Sequence, residues 1–175
     1  MSSKKIYRTV LAAMFLALAF VLPMLTGQIR EIGNKLCPMH IPVLLCGFFC
    51  GPSYAAIVGF VAPMLRSLIF SMPQLMPRGI AMALELMTYG IMSGLMYKIL
   101  PKKKAYIYVS LVLSMISGRI VWGGTMAVLY GLGKTEFGFP AFVSGAILNT
   151  VPGMIIQIVL IPIIVISLGK YTVKE

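Results

Sequence analysis

The chain holds few residues able to do acid, base, nucleophilic or metal chemistry. His40 is its only histidine, it has no aspartate, and its acids number four. A metal-dependent head-group transferase needs several acidic ligands, which removes that class. No Gly-x-Ser-x-Gly stretch or spaced Ser/His pair supports a serine hydrolase, and no G-x-x-x-x-G-K-[ST] loop supports ATP hydrolysis by this chain. His40 stands in "CPMHIPVLLCGFFCGP" with no second histidine, aspartate or cysteine at metal-ligand spacing, so it reads as a polar anchor at a helix entrance. Cys46 and Cys50, at i and i+4, and Cys37 read as small buried hydrophobes. What remains is a set of charged and hydrogen-bonding groups set within apolar sequence: Arg66, Arg78, Glu85, Tyr89, Arg119, Trp122, Asn149 and Gln157. Ionisable residues inside spans are expensive unless paired or wetted, and by default they mark a functional site.

The elements that carry these groups are membrane spans. Of 175 residues 59% are hydrophobic and 11% charged, with a mean hydropathy of +0.97, whereas ordinary globular domains are about a quarter charged. Six spans at about 20 residues each would occupy most of the length, leaving short loops and a single membrane domain over residues 1–175. The net charge of +11 sits mainly at the ends of apolar stretches, so it reads as topology and not as nucleic-acid binding. The first apolar run is a full span long with no small-x-small cleavage pattern after it, which predicts a retained helix instead of a signal peptide.

Breaks at proline, glycine and charge divide the chain into apolar segments near Ile6 to Leu25, Pro42 to Cys50, Tyr54 to Phe70, Gly79 to Ile99, Ala105 to Leu129 and Ala141 to Leu168. The second segment makes only about 15 Å of helix. Charge parity assigns it a crossing. Lys4, Lys5 and Arg8 should share the cytoplasmic side with Lys98, Lys102, Lys103 and Lys104, which requires an even number of crossings between the two clusters. Lys170 and Lys174 then fall inside too. The expectation is an all-α integral membrane protein of six transmembrane helices in a compact bundle, the second short and both termini cytoplasmic. Arg30, Lys35, Arg66, Arg78, Arg119 and Lys134 remain for outer loops or the outer halves of helices. The long "TGQIREIGNKLCPMH" loop before a short helix should dip into the bundle, against protein or a wet cavity.

Glu85 lies two turns below Arg78 on one helical face, with Tyr89 a turn deeper. Arg119 falls in the outer half of the fifth segment, with Trp122 a turn above. Glu85 then serves either a ligand or, as a buried partner, Arg66 or Arg119. Arg78 and Lys134 either snorkel at the interface or face the ligand; Trp122 and Tyr130 either face the ligand or serve as packing or belt aromatics. Together these groups describe an outward-facing pocket with excess positive charge and one carboxylate, suited to a small ligand with an acidic or strongly hydrogen-bonding group. Ala13 and Ala17, at i and i+4, form a smooth strip along which another helix can approach. "SYAAIVGF" and "GIMSGLMY" repeat that spacing and should pack the bundle itself. Pro152 and Pro162, with Gly153, should kink the last helix.

The Ala13-x-x-x-Ala17 strip, the "PMHIPVLLCGFFCGPSYAAIVGFVAPMLRSLIFSMP" hairpin, "MALELMTYGIMSGLMY", "SGRIVWG" and "LNTVPGMIIQIVLIP" together resemble the substrate-binding S components of energy-coupling-factor (ECF) transporters, over nearly the whole chain. The resemblance implies a prokaryotic plasma-membrane subunit, not an enzyme, that captures a vitamin or cofactor precursor from outside. It would then dock on a scaffold membrane protein with two cytoplasmic ATPases, which use the ATP; no cofactor or metal belongs to this chain. It further implies that Ala13 and Ala17 touch the scaffold. Arg30, His40, Arg66, Arg78, Glu85, Tyr89, Arg119, Trp122 and Asn149 would line the substrate site. The basic excess points to pantothenate or another acidic precursor, with riboflavin, vitamin B6, folate and α-ribazole-type compounds as rivals. A stand-alone small-molecule carrier is the alternative from another class.

Overall fold

The computed structural model describes residues 3–25, 37–71, 73–101, 103–132 and 150–169. Within them the chain forms α1 (Ser3–Leu25), α2 (His40–Cys50), α3 (Pro52–Phe70), a π-helical turn (Leu75–Gly79), α4 (Ile80–Ile99), α5 (Lys104–Leu132) and α6 (Val151–Leu168). Five of the helical stretches are long and apolar enough to cross a membrane, and α2 is a shorter apolar helix. No strand occurs among the described residues. The described helices begin and end close to the expected segments, apart from the last. Residues 141–149 lie outside the described residues, and Pro152 falls in the first turn of α6. There its missing N–H removes no helical bond, so the kink expected at Pro152 is replaced by a helix start. Pro162 is internal and buried.

The shortest helix is the most enclosed. Every residue of α2 except Ile41 is buried, and α2 touches α1, α3, α4 and α6. An 11-residue helix rises about 16 Å, so it can sit wholly inside a bundle whose longer helices face lipid. Gly51 ends it at φ +94, a conformation that a residue with a Cβ rarely adopts. The chain reverses there, and Pro52 opens α3.

Small residues set the closest approach. Ala55 and Gly59 on α3 face Gly90 and Leu86 on α4: a Cβ on Gly90 would lie 2.5 Å from the Ala55 carbonyl oxygen, and one on Gly94 2.6 Å from the Pro52 nitrogen. The helices therefore meet backbone to backbone, as small-residue membrane interfaces do. Both small-xxx-small pairs pack this bundle, as their spacing suggests. Gly47 on α2 fits against Ser93 and Gly90 of α4 in the same way. Phe48 stacks edge-on to Tyr97, and Phe49 lies on Phe15 of α1. With His40 beside Tyr89 and Phe48 beside Tyr97, α2 and α4 run in the same direction.

Hydroxyls inside the helices are satisfied locally. Ser110, Ser114, Thr88 and Thr125 each donate to the carbonyl four residues earlier, the arrangement open to a polar side chain where water is scarce. Leu68, Ile120, Val10 and Ile57 are among the large apolar residues turned outward. An apolar exterior around a core that also holds polar groups is what a lipid solvent favours.

Candidate functional site

One cluster of charged and polar side chains occupies the interior at the His40 end of α2. The chain enters it through Cys37, whose φ of +46 is left-handed, an uncommon state for a residue with a side chain. That conformation aims its carbonyl into the bundle. The His40 N–H donates to it at 3.0 Å, and the Gln157 Nε2 of α6 donates at 3.5 Å. Cys37 and Met39 are buried, so the end of the loop dips among the helices. Burial pushes the Cys37 thiol up to about 11, against the pull of the Arg119 charge.

Glu85 on α4 and Arg119 on α5 form the centre. Arg119 NH1 lies 2.9 Å from Glu85 Oε1, with side-chain exposures of 12% and 3%. Its NH2 reaches the Cys37 sulfur at 4.0 Å. His40 Nε2 stands 3.6 Å from the same Glu85 oxygen, too far for a charge-assisted hydrogen bond. The His40 ring meets the Tyr89 ring edge-on, centroids 5.1 Å apart. Tyr89 in turn lies over Gly118, where a Cβ would collide with its ring. The glycine before Arg119 thus lets α5 come close enough to α4 for the ion pair to form.

The cluster is not fully satisfied from within. Both ring nitrogens of His40, the Nε of Arg119 and Glu85 Oε1 are buried with no hydrogen-bond partner among the described residues, although Glu85 Oε1 faces Arg119 as an ion pair. Buried polar atoms in native proteins are nearly always paired, and an unpaired one carries a desolvation penalty. Four such atoms meet here, one of them an oxygen of the carboxylate itself, so a polar ligand placed among them would relieve that penalty. No group of three His, Cys, Asp or Glu among the described residues is placed to hold a metal.

The structure thus brings together His40, Glu85, Tyr89 and Arg119, and it separates others expected beside them. Of the two candidate partners for Glu85, Arg119 takes the role. Arg66 is buried elsewhere: its NH1 lies 3.5 Å from the Phe20 carbonyl of α1 and its guanidinium covers the Phe70 ring at 5.4 Å. Arg66 is thus turned to the backbone of α1 and not to the cluster. Arg78 is exposed in the π-helical turn, and Trp122 is half-buried one turn beyond Arg119. Arg30 and Asn149, with Lys134, lie outside the described residues. Two participants were not among the residues assigned to the substrate site. Gln157 was legible as a mid-helix amide; Cys37 lay in the loop expected to dip into the bundle but read as a small buried hydrophobe, since nothing in its sequence surroundings announces a left-handed cysteine.

Ala13 and Ala17 face away from this cluster. Both are exposed on α1, whose buried side is carried by Ala12, Phe15 and Ala19. A family model described as the substrate-specific component of ECF transporters matches residues 7–165. No curated protein and no solved structure matches the chain significantly.

Proposed function

Since the chain belongs to the family of ECF transporter substrate-specific components, a class of multi-pass membrane subunits that bind substrate and leave ATP hydrolysis to a separate partner, we propose that it captures a vitamin-sized micronutrient from outside the cell. Delivery inward follows docking on a membrane scaffold with two ATPases. The single observation that carries the site assignment is the buried His40–Glu85–Arg119 cluster with four polar atoms that lack hydrogen-bond partners among the described residues. Such a group inside an apolar bundle is expensive unless something binds there.

In this reading the His40 end of α2 faces outward. The Arg8 and Lys98 ends of α1 and α4 face the cytoplasm, as the clustering of Lys4, Lys5, Lys103 and Lys104 favours. The resemblance also assigns Arg30 and Asn149, which lie outside the described residues, to the site, and Trp122 and Arg78 stand toward its mouth. Ala13 and Ala17 supply the docking strip, which their exposure on α1 and the need for close helix approach both support. The candidates for the cargo are pantothenate or another acidic precursor, which the cationic excess of the sequence suggests, and riboflavin, vitamin B6, folate and α-ribazole-type compounds.

The test is direct. Protein purified in mild detergent, challenged with the module, should bind a small molecule stoichiometrically and co-purify with scaffold and ATPases. Protein that binds no small molecule and never associates with an ATPase module would end this reading.

A further inference from the structure

We propose that the molecule held at this site is uncharged at neutral pH and offers both a hydrogen-bond donor and an acceptor to His40 and Arg119. This deepens the capture reading above and rests on it. Of the described cations that suggest an acidic ligand from sequence, Arg119 is the one that reaches the cluster. Arg66 is turned to the Phe20 carbonyl and the Phe70 ring, and Arg78 is exposed in the π-helical turn. Arg119, the one that reaches the cluster, is already neutralised by Glu85 at 2.9 Å.

An anionic ligand would have to share that guanidinium with a carboxylate buried beside it, setting two negative groups against one positive. Like charges held that close in a poorly solvated site repel strongly. A cationic ligand meets the mirror problem at Arg119. The polar atoms left open, Glu85 Oε1 among them, call for a donor and an acceptor together. His40 is 2% exposed, and both its ring nitrogens lack partners among the described residues. Its distance of 3.6 Å from Glu85 exceeds that of a charge-assisted bond, so both ring nitrogens stay open to a ligand, and an imidazole in its neutral form carries one donor and one acceptor. The open Arg119 Nε adds a second donor. The complement is an uncharged group with acceptor and donor side by side, as in a lactam, a ring imide or neighbouring hydroxyls.

Two measurements decide it. Full-length protein from cells grown on rich medium is purified, washed and denatured, and the released small molecules are identified by mass spectrometry. A stoichiometric compound without net charge at pH 7 is the expected result. A stoichiometric carboxylate or phosphate would overturn the proposal while upholding substrate capture. Protein that releases nothing from any of several media would remove the capture reading and the proposal with it. In the second, wild-type and Glu85→Gln proteins are titrated with pantothenate, read by the fluorescence of Trp122, the chain's single tryptophan. The wild type should give no saturable response. The variant, with Arg119 no longer neutralised, should bind the anion at least tenfold more tightly. Saturable binding of pantothenate by the wild type overturns the proposal whether or not the variant folds, and a folded variant with no gain overturns the role given to Glu85.

Discussion

Replacing Arg119 by methionine strands Glu85, and the structure says how badly. The Glu85 side chain is 3% exposed and the Arg119 side chain 12%, at a separation of 2.9 Å. Breaking a buried ion pair from one side typically costs about 3–5 kcal/mol, because the surviving charge stays desolvated. The more enclosed survivor suffers more. Arg119→Met should therefore fall near the upper end, about 4–5 kcal/mol, and Glu85→Leu near the lower, about 3 kcal/mol, since the exposed edge of Arg119 retains some solvation. The double variant, with apolar groups of similar volume on both helices, should lose only about 1–2 kcal/mol. Equilibrium unfolding by SDS titration in mixed micelles, followed by circular dichroism, measures all four corners of the cycle. Singles that add up to the double within about 0.5 kcal/mol would mean the two groups do not act as a pair, and the reasoning about this site would fail.

Ala13→Leu with Ala17→Leu should leave folding and ligand binding intact, because both positions are exposed on α1, yet abolish co-purification with the ATPase module; retained assembly would displace the docking face from this strip. Gly90→Ala forces a methyl to within 2.5 Å of the Ala55 carbonyl oxygen and 2.9 Å of its Cβ. It should destabilise by about 1–3 kcal/mol, with Gly124→Ala, which meets nothing within 4 Å, as a control within about 0.5 kcal/mol, both by the same SDS titration. Arg66→Met removes a bond to α1 and not to the cluster, so stability should drop by about 1–2 kcal/mol while ligand affinity stays within about twofold. A tenfold loss of affinity in a calorimetric titration would restore Arg66 to the site.

The helices were largely legible because a membrane span is written in length and hydropathy, and proline, glycine and lysine punctuate it. The short α2 was legible too, since only a brief apolar run lies between Pro38 and Gly51. Its place at the centre was not, because an all-apolar run looks the same whether it faces lipid or protein. Glu85 and Arg119 announced themselves as charges within spans, but their pairing depended on Gly118 admitting the Tyr89 ring, a contact between distant segments that no local pattern encodes. Arg66 misled for the same reason. A buried guanidinium needs acceptors, and sequence cannot say whether they are a ligand's or the backbone of another helix. Cys37 accepts from His40 and Gln157 through its carbonyl, and backbone groups carry no residue-type signal.

The central claim is that this chain captures a molecule but cannot move it alone. It is tested most directly by reconstituting the purified protein in liposomes, with and without the ECF module, and following uptake of the compound it releases on denaturation. Accumulation should appear only when the module and ATP are both present. Uptake by the chain alone would contradict the account and make it a self-sufficient carrier.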